Sequence, residues 1–510
     1  MSTAIVVGAG FGGLSAAAHL RAAGFDVTVI ERASHPGGKA DRRVERGYVF
    51  DTGPTLLTMP DEIDRAFRAV GSTLAAETEL TRLEPVARYL FASGHELVVH
   101  ADHERTKADI ARFSPRDAAA WDGFFAECKE IWEVAGEPYL SAPFDGLVGY
   151  AQRALRGGSR ALKMSVALGT LDELARRWFE SPEMRMFVGR FATYAGGDPA
   201  RSTGAFGMIP YLEIEHGAFY PRGGIQALAE KLRRALERAG VAFRFDTAVR
   251  QVLLDASGRA TGVATAAGVL SADVVVVNAD PLVAARALFP EHAGAARFAT
   301  SLAQREPSLS GVAFGFGVEG DVPAHAHHNV LFPADYEAEF AAIFERRALP
   351  DDPTIYVSIP SHGDPTRAPA GHHVLFCLVN APADEAISES AIARLRAHVL
   401  RELDRRFAPG ITERIRAEIT VTPKDIARTA AAGGAIYGAA PHGATSTFER
   451  PKHRAEFARG VYFVSGATHP GGGVPMVMKG GRFVAETVAR DVRPVATSGG
   501  SFGALRRWFK

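Results

Sequence analysis

Apolar and polar positions change period several times along this chain. Residues 4–7, Ala-Ile-Val-Val, are an uninterrupted apolar run of the kind that fills a strand buried on both faces. A turn, Gly-Ala-Gly-Phe-Gly-Gly at 8–13, leads into a helical pattern over 14–24. A second strand, 25–31, then ends in Glu31. The stretch 47–54 predicts a strand running into the turn Asp51-Thr52-Gly53-Pro54. Between 101 and 190 the spacing is mostly helical, with aromatic residues at 121, 124, 125, 132, 178, 179, 187 and 191. Those rings suit either the core faces of amphipathic helices or the wall of an apolar tunnel. A further helix follows Gly223-Gly224, and short strands with glycine turns fill 241–281. Val274–Val277 belongs in a central strand. Strands and helices alternate again over 309–425. Finally, 460–467 predicts a strand and 474–491 a helix carrying Pro475 in its first turn, where a proline is tolerated.

The order of strand, Gly8-x-Gly10-x-x-Gly13, helix, strand and terminal Glu31 is a dinucleotide-binding arrangement. Gly8 permits the tight turn, Gly10 lets the backbone approach a pyrophosphate, and Gly13 lets helix and strand close together. The free N–H groups at the helix start face the phosphates. Glu31 accepts from the ribose hydroxyls and disfavours a 2′-phosphate. A nicotinamide enzyme would continue the strand–helix alternation. Here Gly37, Gly38 and Lys39 form a second glycine loop, suited to wrapping a tightly held cofactor.

Composition narrows the chemistry further. Lys plus Arg and Asp plus Glu each number 58 in 510 residues, which leaves no basic field for nucleic acid. The length predicts two or three domains. Two cysteines, Cys128 and Cys377, exclude a disulfide framework and fit a reducing compartment. No apolar run is long enough to span a bilayer, and no basic region precedes the first apolar run as in a signal peptide. Among 17 histidines, the groups 325, 327, 328 and 372, 373 lack chelating spacing, so no metal is expected. No Gly-x-Ser-x-Gly elbow occurs.

With the stretches 31–40, 50–60, 193–202, 217–232, 272–281, 327–333, 352–376 and 466–481, the chain resembles the bacterial-type carotenoid desaturases. These are phytoene desaturase and its relatives, within the flavin amine-oxidase-like superfamily. The resemblance implies an α/β fold: a Rossmann-type FAD-binding domain, a discontinuous α+β substrate domain and a helical, membrane-facing insertion. The implied boundaries are 1–75, 216–300 and 426–495 for the FAD-binding parts, and 76–215 and 301–425 for the substrate domain with its insertion. Residues 496–510 would be a flexible amphipathic tail.

It also implies FAD as cofactor. Gly8, Gly10 and Gly13 would lie at the pyrophosphate, Glu31 at the ribose, Gly38 and Lys39 along the middle, and Val249 at the adenine. Gly466, Val474, Pro475 and Met476 would lie at the flavin end. The implied reaction introduces a C=C bond into phytoene or a later, hydroxylated carotenoid by hydride transfer to flavin N5. Quinone or oxygen would be the electron acceptor. A related polyene saturase or isomerase, or a non-catalytic flavin-binding carotenoid carrier, are the alternatives.

The resemblance carries an acid–base aspartate to Asp145, although the arginine expected before it is Phe144. A loop or cap aspartate is the other reading there. His469 is a loop-shaping residue with a proton-relay role open to it. The basic residues Arg153, Arg156, Arg160 and Lys163 among apolar neighbours suit an anionic membrane surface or a solvated face equally, while the aromatic and basic stretch 502–510 favours peripheral membrane contact over a frayed tail. The expected location is the cytoplasmic face of the inner membrane.

Overall fold

A computed structural model describes residues 2–144, 146–155, 169–323 and 325–492. Asp145, Arg156, Arg160, Lys163 and the stretch 496–510 lie outside the described residues. The first sheet has five parallel strands in the order Val461–Phe463, Val274–Val277, Thr3–Val7, Asp26–Ile30, Ala242–Arg244. All four valines of 274–277 are buried, because both faces of this parallel sheet are covered. The strand near the C-terminal end covers Val461–Phe463 alone, shorter than the apolar run 460–467. Beyond it Ser465 and Thr468 bond each other and turn the chain.

Two helices pack side by side on this sheet. The first, Phe11–Ala22, follows the glycine turn; the other, Val474–Asp491, has Pro475 in its first turn as expected. Ser15 Oγ donates to the Met478 carbonyl at 2.6 Å. A Cβ on Gly481 would stand 2.5 Å from the Gly12 carbonyl oxygen and 2.6 Å from the Ala16 nitrogen, so only glycine allows this approach. Residues 12, 15 and 16 meet 477, 478 and 481 in rising order, and the two helices therefore point their N-termini the same way. A third helix, Gly224–Arg238, buries Ile225, Leu228, Ala229, Leu232 and Leu236 at helical spacing.

The second sheet has seven strands, ordered Ile415–Val421, Ser310–Glu319, His372–Ala381, Ile355–Ser358, His328–Leu331, Ala87–Leu90, Glu96–Val99. The last two join from far upstream. Ala87–Leu90 pairs in parallel with His328–Leu331, a partnership across about 240 residues that no local pattern announces. In the strand Ser310–Glu319, Gly315 and Gly317 leave room for a hairpin, since a Cβ on either would stand 2.6 Å from the ring of Phe50 or Tyr48. That seats the hairpin strand Tyr48–Asp51 on the sheet, and in the following turn a Cβ on Gly53 would stand 2.0 Å from the Lys39 carbonyl oxygen, so the turn lies against the second glycine loop.

The hairpin is held by a buried ion pair. Arg367 Nη2 lies 2.8 Å from Asp51 Oδ2, while Arg367 Nη1 donates to the Gly223 carbonyl at 2.8 Å. Asp364 accepts from the Gly223 amide at 2.7 Å, so three segments meet at one buried point.

Helices between His103 and Ile214 close over the open face of the seven-stranded sheet. Trp121, Phe124, Phe125, Phe179, Phe187 and Phe191 are buried in one cluster with the strand residues Tyr89 and Val330 and with Phe332 just past its strand. Of the two readings for the aromatic positions, the core one holds for these six; Trp132 and Trp178 are half-buried, and none of the eight lines the cavity beside the loop 471–476.

Candidate functional site

The glycine turn sits at the carboxyl ends of the parallel strands, the usual ligand crevice of an open α/β sheet. A Cβ on Gly13 would stand 2.1 Å from the Gly8 carbonyl oxygen, and one on Gly10 2.8 Å from the Asn278 amide. Gly38 faces Gly10, with its Cβ position 3.4 Å from the Gly10 Cα, and the Gly37 amide donates to the Ala9 carbonyl. The two glycine loops therefore form one cradle of bare backbone. The first helix starts at Gly10 with no side-chain cap, so its leading N–H groups and dipole are open to an anion.

Glu31 ends the second strand with its carboxylate accepting from the Ala9 amide at 2.7 Å and the Ala33 amide at 2.9 Å. A carboxylate has about four lone-pair sites, so two remain for hydroxyl donors. Thr247 donates its amide to the Glu31 carbonyl, which brings the strand start at Val249 beside the acid. Lys39 donates from Nζ to the Ile436 carbonyl at 2.7 Å; burial pulls its pKa down to about 8 against the opposing pull of Asp280. Ile436 is thus a site contact that sequence inspection missed.

The loop 466–473 folds back on itself, with a Cβ on Gly466 reaching 3.3 Å from the Gly472 Cα. Arg450 pins it by donating to the carbonyls of Tyr437 at 3.1 Å and Gly466 at 2.9 Å. The Tyr437 ring covers Gly472, where a Cβ would stand 2.2 Å from Cδ1. The helix from Val474 also lacks a side-chain cap, and it starts at the same end of the molecule as the first helix.

A cavity of about 380 Å³ opens against this loop. Gly471–Met476, including Val474, Pro475 and Met476, form one wall, and Pro54–Leu56 form another. Most of the lining is apolar, from residues such as Leu140, Phe206, Ile209, Leu309 and Phe448. The polar exceptions include Arg190, Tyr194, Glu213 and Tyr356. These too were missed from sequence; the one signal was a charged residue inside the apolar stretch Met-Phe-Val-Gly-Arg-Phe at 186–191.

His469 does not line this cavity. Its ring packs among Tyr139 at 4.6 Å, Phe483 at 5.6 Å and Phe144 at 5.8 Å, and Nε2 donates to the Ala142 carbonyl at 3.3 Å. Burial holds its pKa well below the usual histidine value, and Nδ1 is buried without a partner among the described residues. It ties the loop to the turn just before Asp145. His327 and His328 are buried side by side, but His328 Nδ1 bonds the Tyr356 hydroxyl at 2.6 Å. His372 Nδ1 bonds the Tyr48 hydroxyl, and His373 Nδ1 the Ser361 hydroxyl. Among the described residues no group of three or more His, Cys, Asp or Glu could hold a metal.

Buried neutral histidines set a pH limit. Burial lowers His19 and His453 from 6.5 to about 4. The unfolded chain protonates them near 6.5 and the folded one near 4, so the stability present above 6.5 is lost as pH falls through that window. Each should cost on the order of 2 kcal/mol by pH 5. Urea unfolding midpoints should therefore fall between pH 7 and 5; a flat profile would contradict this account.

The bare-backbone cradle, two uncapped helix starts and Glu31 at the strand end fit a flavin dinucleotide. The sequence profile of the flavin containing amine oxidoreductases matches residues 11–489. A 4,4'-diapolycopene oxygenase from a Methylomonas species is 31% identical over 495 residues, covering 96% of this chain and 98% of the relative. A phytoene desaturase from Neurospora crassa is 33% identical over 519 residues, covering 97% and 86%. A 1-hydroxycarotenoid 3,4-desaturase from a Flavobacterium species is 29% identical over 490 residues, covering 96% and 99%. Among solved structures, putrescine oxidase bound to putrescine has a TM-score of 0.62 at 16% identity, covering 96% of this chain and 98% of that one. Cyclohexylamine oxidase from Brevibacterium oxydans has a TM-score of 0.61 at 16% identity, covering 96% and 99%. At such identities the structural likeness speaks to fold alone. The cofactor is FAD, and the chain belongs to the flavin-containing amine oxidoreductase family, in the group of the phytoene desaturases and their relatives.

Proposed function

We propose that this protein is a carotenoid desaturase that removes a hydride and a proton from neighbouring carbons of an extended carotenoid, either phytoene or a later, hydroxylated one. The observation that carries this reading is the apolar cavity laid against the glycine loop 471–473 and the helix start at Val474. A desaturase needs such a place, long in hydrocarbon contacts and poor in water. The names of its relatives, phytoene desaturase and 1-hydroxycarotenoid 3,4-desaturase, support it.

Bound FAD supplies a ring that accepts a hydride. Gly8, Gly10 and Gly13 would hold its pyrophosphate, Glu31 its ribose and Val249 its adenine. Gly38 and Lys39 would line its middle, and Gly466, Val474, Pro475 and Met476 its ring end. The dipole of the helix from Val474 favours negative charge at that end. Leu140, Phe206 and Phe448 keep water out. Asp145 or His469 receives the proton. On His469 the atom left to accept it is Nδ1, since Nε2 is engaged by the Ala142 carbonyl. A quinone or oxygen would serve as the electron acceptor.

The cofactor domain is built from 1–75, 216–300 and 426–495, and the region 76–215 meets the membrane. The helix Leu147–Leu155 supports that contact: Leu147, Val148 and Leu155 are 60%, 73% and 65% exposed, while Tyr150 on the same helix lines the cavity. No described helix is long and apolar enough to cross a membrane, so the association would be peripheral.

Anaerobic mixing of the FAD-loaded protein with carotenoids in liposomes tests the reaction. The expected result is bleaching of the flavin band together with a product absorbing at longer wavelength. Reoxidation of bleached flavin by an unsaturated polyene would instead indicate a saturase. No redox change with any polyene would sink the enzymatic reading and leave a carotenoid carrier.

A further inference from the structure

Arg190 is a buried cation on the wall of a mostly apolar cavity. It is 7% exposed, and its Nη1 donates to the Tyr89 hydroxyl at 3.1 Å. That is the one hydrogen bond its guanidinium makes among the described residues, and no carboxylate there lies within ion-pairing distance of it. The rings of Tyr194, Tyr89 and Phe191 surround it at 5.0, 5.4 and 5.7 Å. A guanidinium carries five N–H donors and stays charged at any ordinary pH, so four donors are left over. Aromatic faces soften the charge but offer no acceptor for those donors.

Glu213 stands in the same wall. It is 3% exposed and accepts from the Tyr194 hydroxyl at 2.6 Å, with its second oxygen making no hydrogen bond among the described residues. Tyr356 completes the rim, but its hydroxyl is already engaged by Thr55 and His328, each at 2.6 Å. This part of the wall thus presents spare donors on Arg190 and a spare acceptor on Glu213, gathered about Tyr194, whose ring lies 5.0 Å from the guanidinium and whose hydroxyl bonds the carboxylate. A hydrocarbon end would leave both unsatisfied and dry, which is costly. A hydroxyl satisfies both, its oxygen accepting from Arg190 and its hydrogen donated to Glu213.

We propose that Arg190 and Glu213 recognise a hydroxyl at one end of a linear polyene, and so fix which C–C bond comes to rest beside the flavin end of the cavity. This rests on the desaturase reading and selects, within it, the hydroxylated substrate class over plain hydrocarbons. The two residues are specificity determinants and take no part in moving hydride or proton.

The test compares two polyenes of equal length, one with a terminal hydroxyl and one without, offered in liposomes to the FAD-loaded protein. Anaerobic flavin bleaching gives kcat/KM, and quenching of tryptophan fluorescence gives binding. The wild type should favour the hydroxylated polyene by about 10- to 100-fold, carried mainly by KM. Arg190→Met should bring that ratio to within about threefold of one. Glu213→Gln, which keeps the shape and can still accept, should lower the ratio less than Arg190→Met does. Arg190→Lys serves if the methionine variant does not fold, and should also lower the ratio because its point charge cannot fork to both partners. Equal efficiency on both polyenes in the wild type, or an unchanged ratio in the Arg190 variants, overturns the assignment while leaving the desaturase reading intact. A wild type that reduces its flavin with neither polyene takes both down.

Discussion

Replacing Arg367 by leucine is expected to lower the unfolding free energy by about 3–5 kcal/mol, because the change strands the Asp51 carboxylate in a dry interior. Burial already pushes the Asp51 pKa upward, and Arg367 is the chief force holding it down. The same change frees the Gly223 carbonyl, so the start of the helix Gly224–Arg238 loosens with it. A partner variant, Asp51→Leu with Arg367→Leu, should recover part of the loss, since a pair of apolar side chains has no charge to desolvate. Urea unfolding by circular dichroism reads both. A single variant within about 1 kcal/mol of wild type would show that water reaches the pair and that the three segments are held otherwise.

The second large effect concerns cofactor retention. Gly13→Ala should purify with flavin occupancy reduced at least about tenfold, because a methyl there meets the backbone carbonyl of Gly8 rather than a movable side chain. The loop must open, and the phosphate-facing N–H groups lose their common aim. Absorbance of bound flavin per chain decides it; full occupancy in the variant would mean that the turn tolerates displacement without losing the phosphates. By contrast, a Cβ on Gly24 or Gly71 would meet nothing within 4 Å, so the prediction is specific to position 13 and does not extend to glycine in general.

These two sites mark how far the sequence could be read. The strand, glycine turn, helix, strand and Glu31 follow one another within 31 residues, so the whole device is written in local pattern. So is the helix from Val474, with its proline in the first turn. What local pattern could not supply was partnership at a distance. Arg367 meets Asp51 across more than 300 positions, and nothing near either residue names the other. Arg190, Glu213 and Tyr356 come to the cavity from two helical turns and a strand. Only the oddity of an arginine between Phe187 and Phe191 hinted at them.

The aromatic positions of the helical region had two readings, core and tunnel, because a ring on an amphipathic face looks alike in both. Packing separates them: Trp121 and Phe187 join the buried cluster against the sheet, and the cavity is lined instead by other aromatics such as Phe206, Phe448 and Tyr194. The run 460–467 overstated its strand, since apolar character persists past Phe463 into a segment that bends through Ser465 and Thr468.

The close contact of the helices Phe11–Ala22 and Val474–Asp491 has a consequence for how the protein is made. During synthesis the glycine turn leaves the ribosome first, yet the surface that covers its helix is translated hundreds of codons later. Until then Ser15 lacks its acceptor, the Met478 carbonyl, and the backbone of Gly12 and Ala16 lies open where Gly481 will settle. The cofactor site therefore stays unfinished until the helix from Val474 has been made, and stable loading with FAD follows that step.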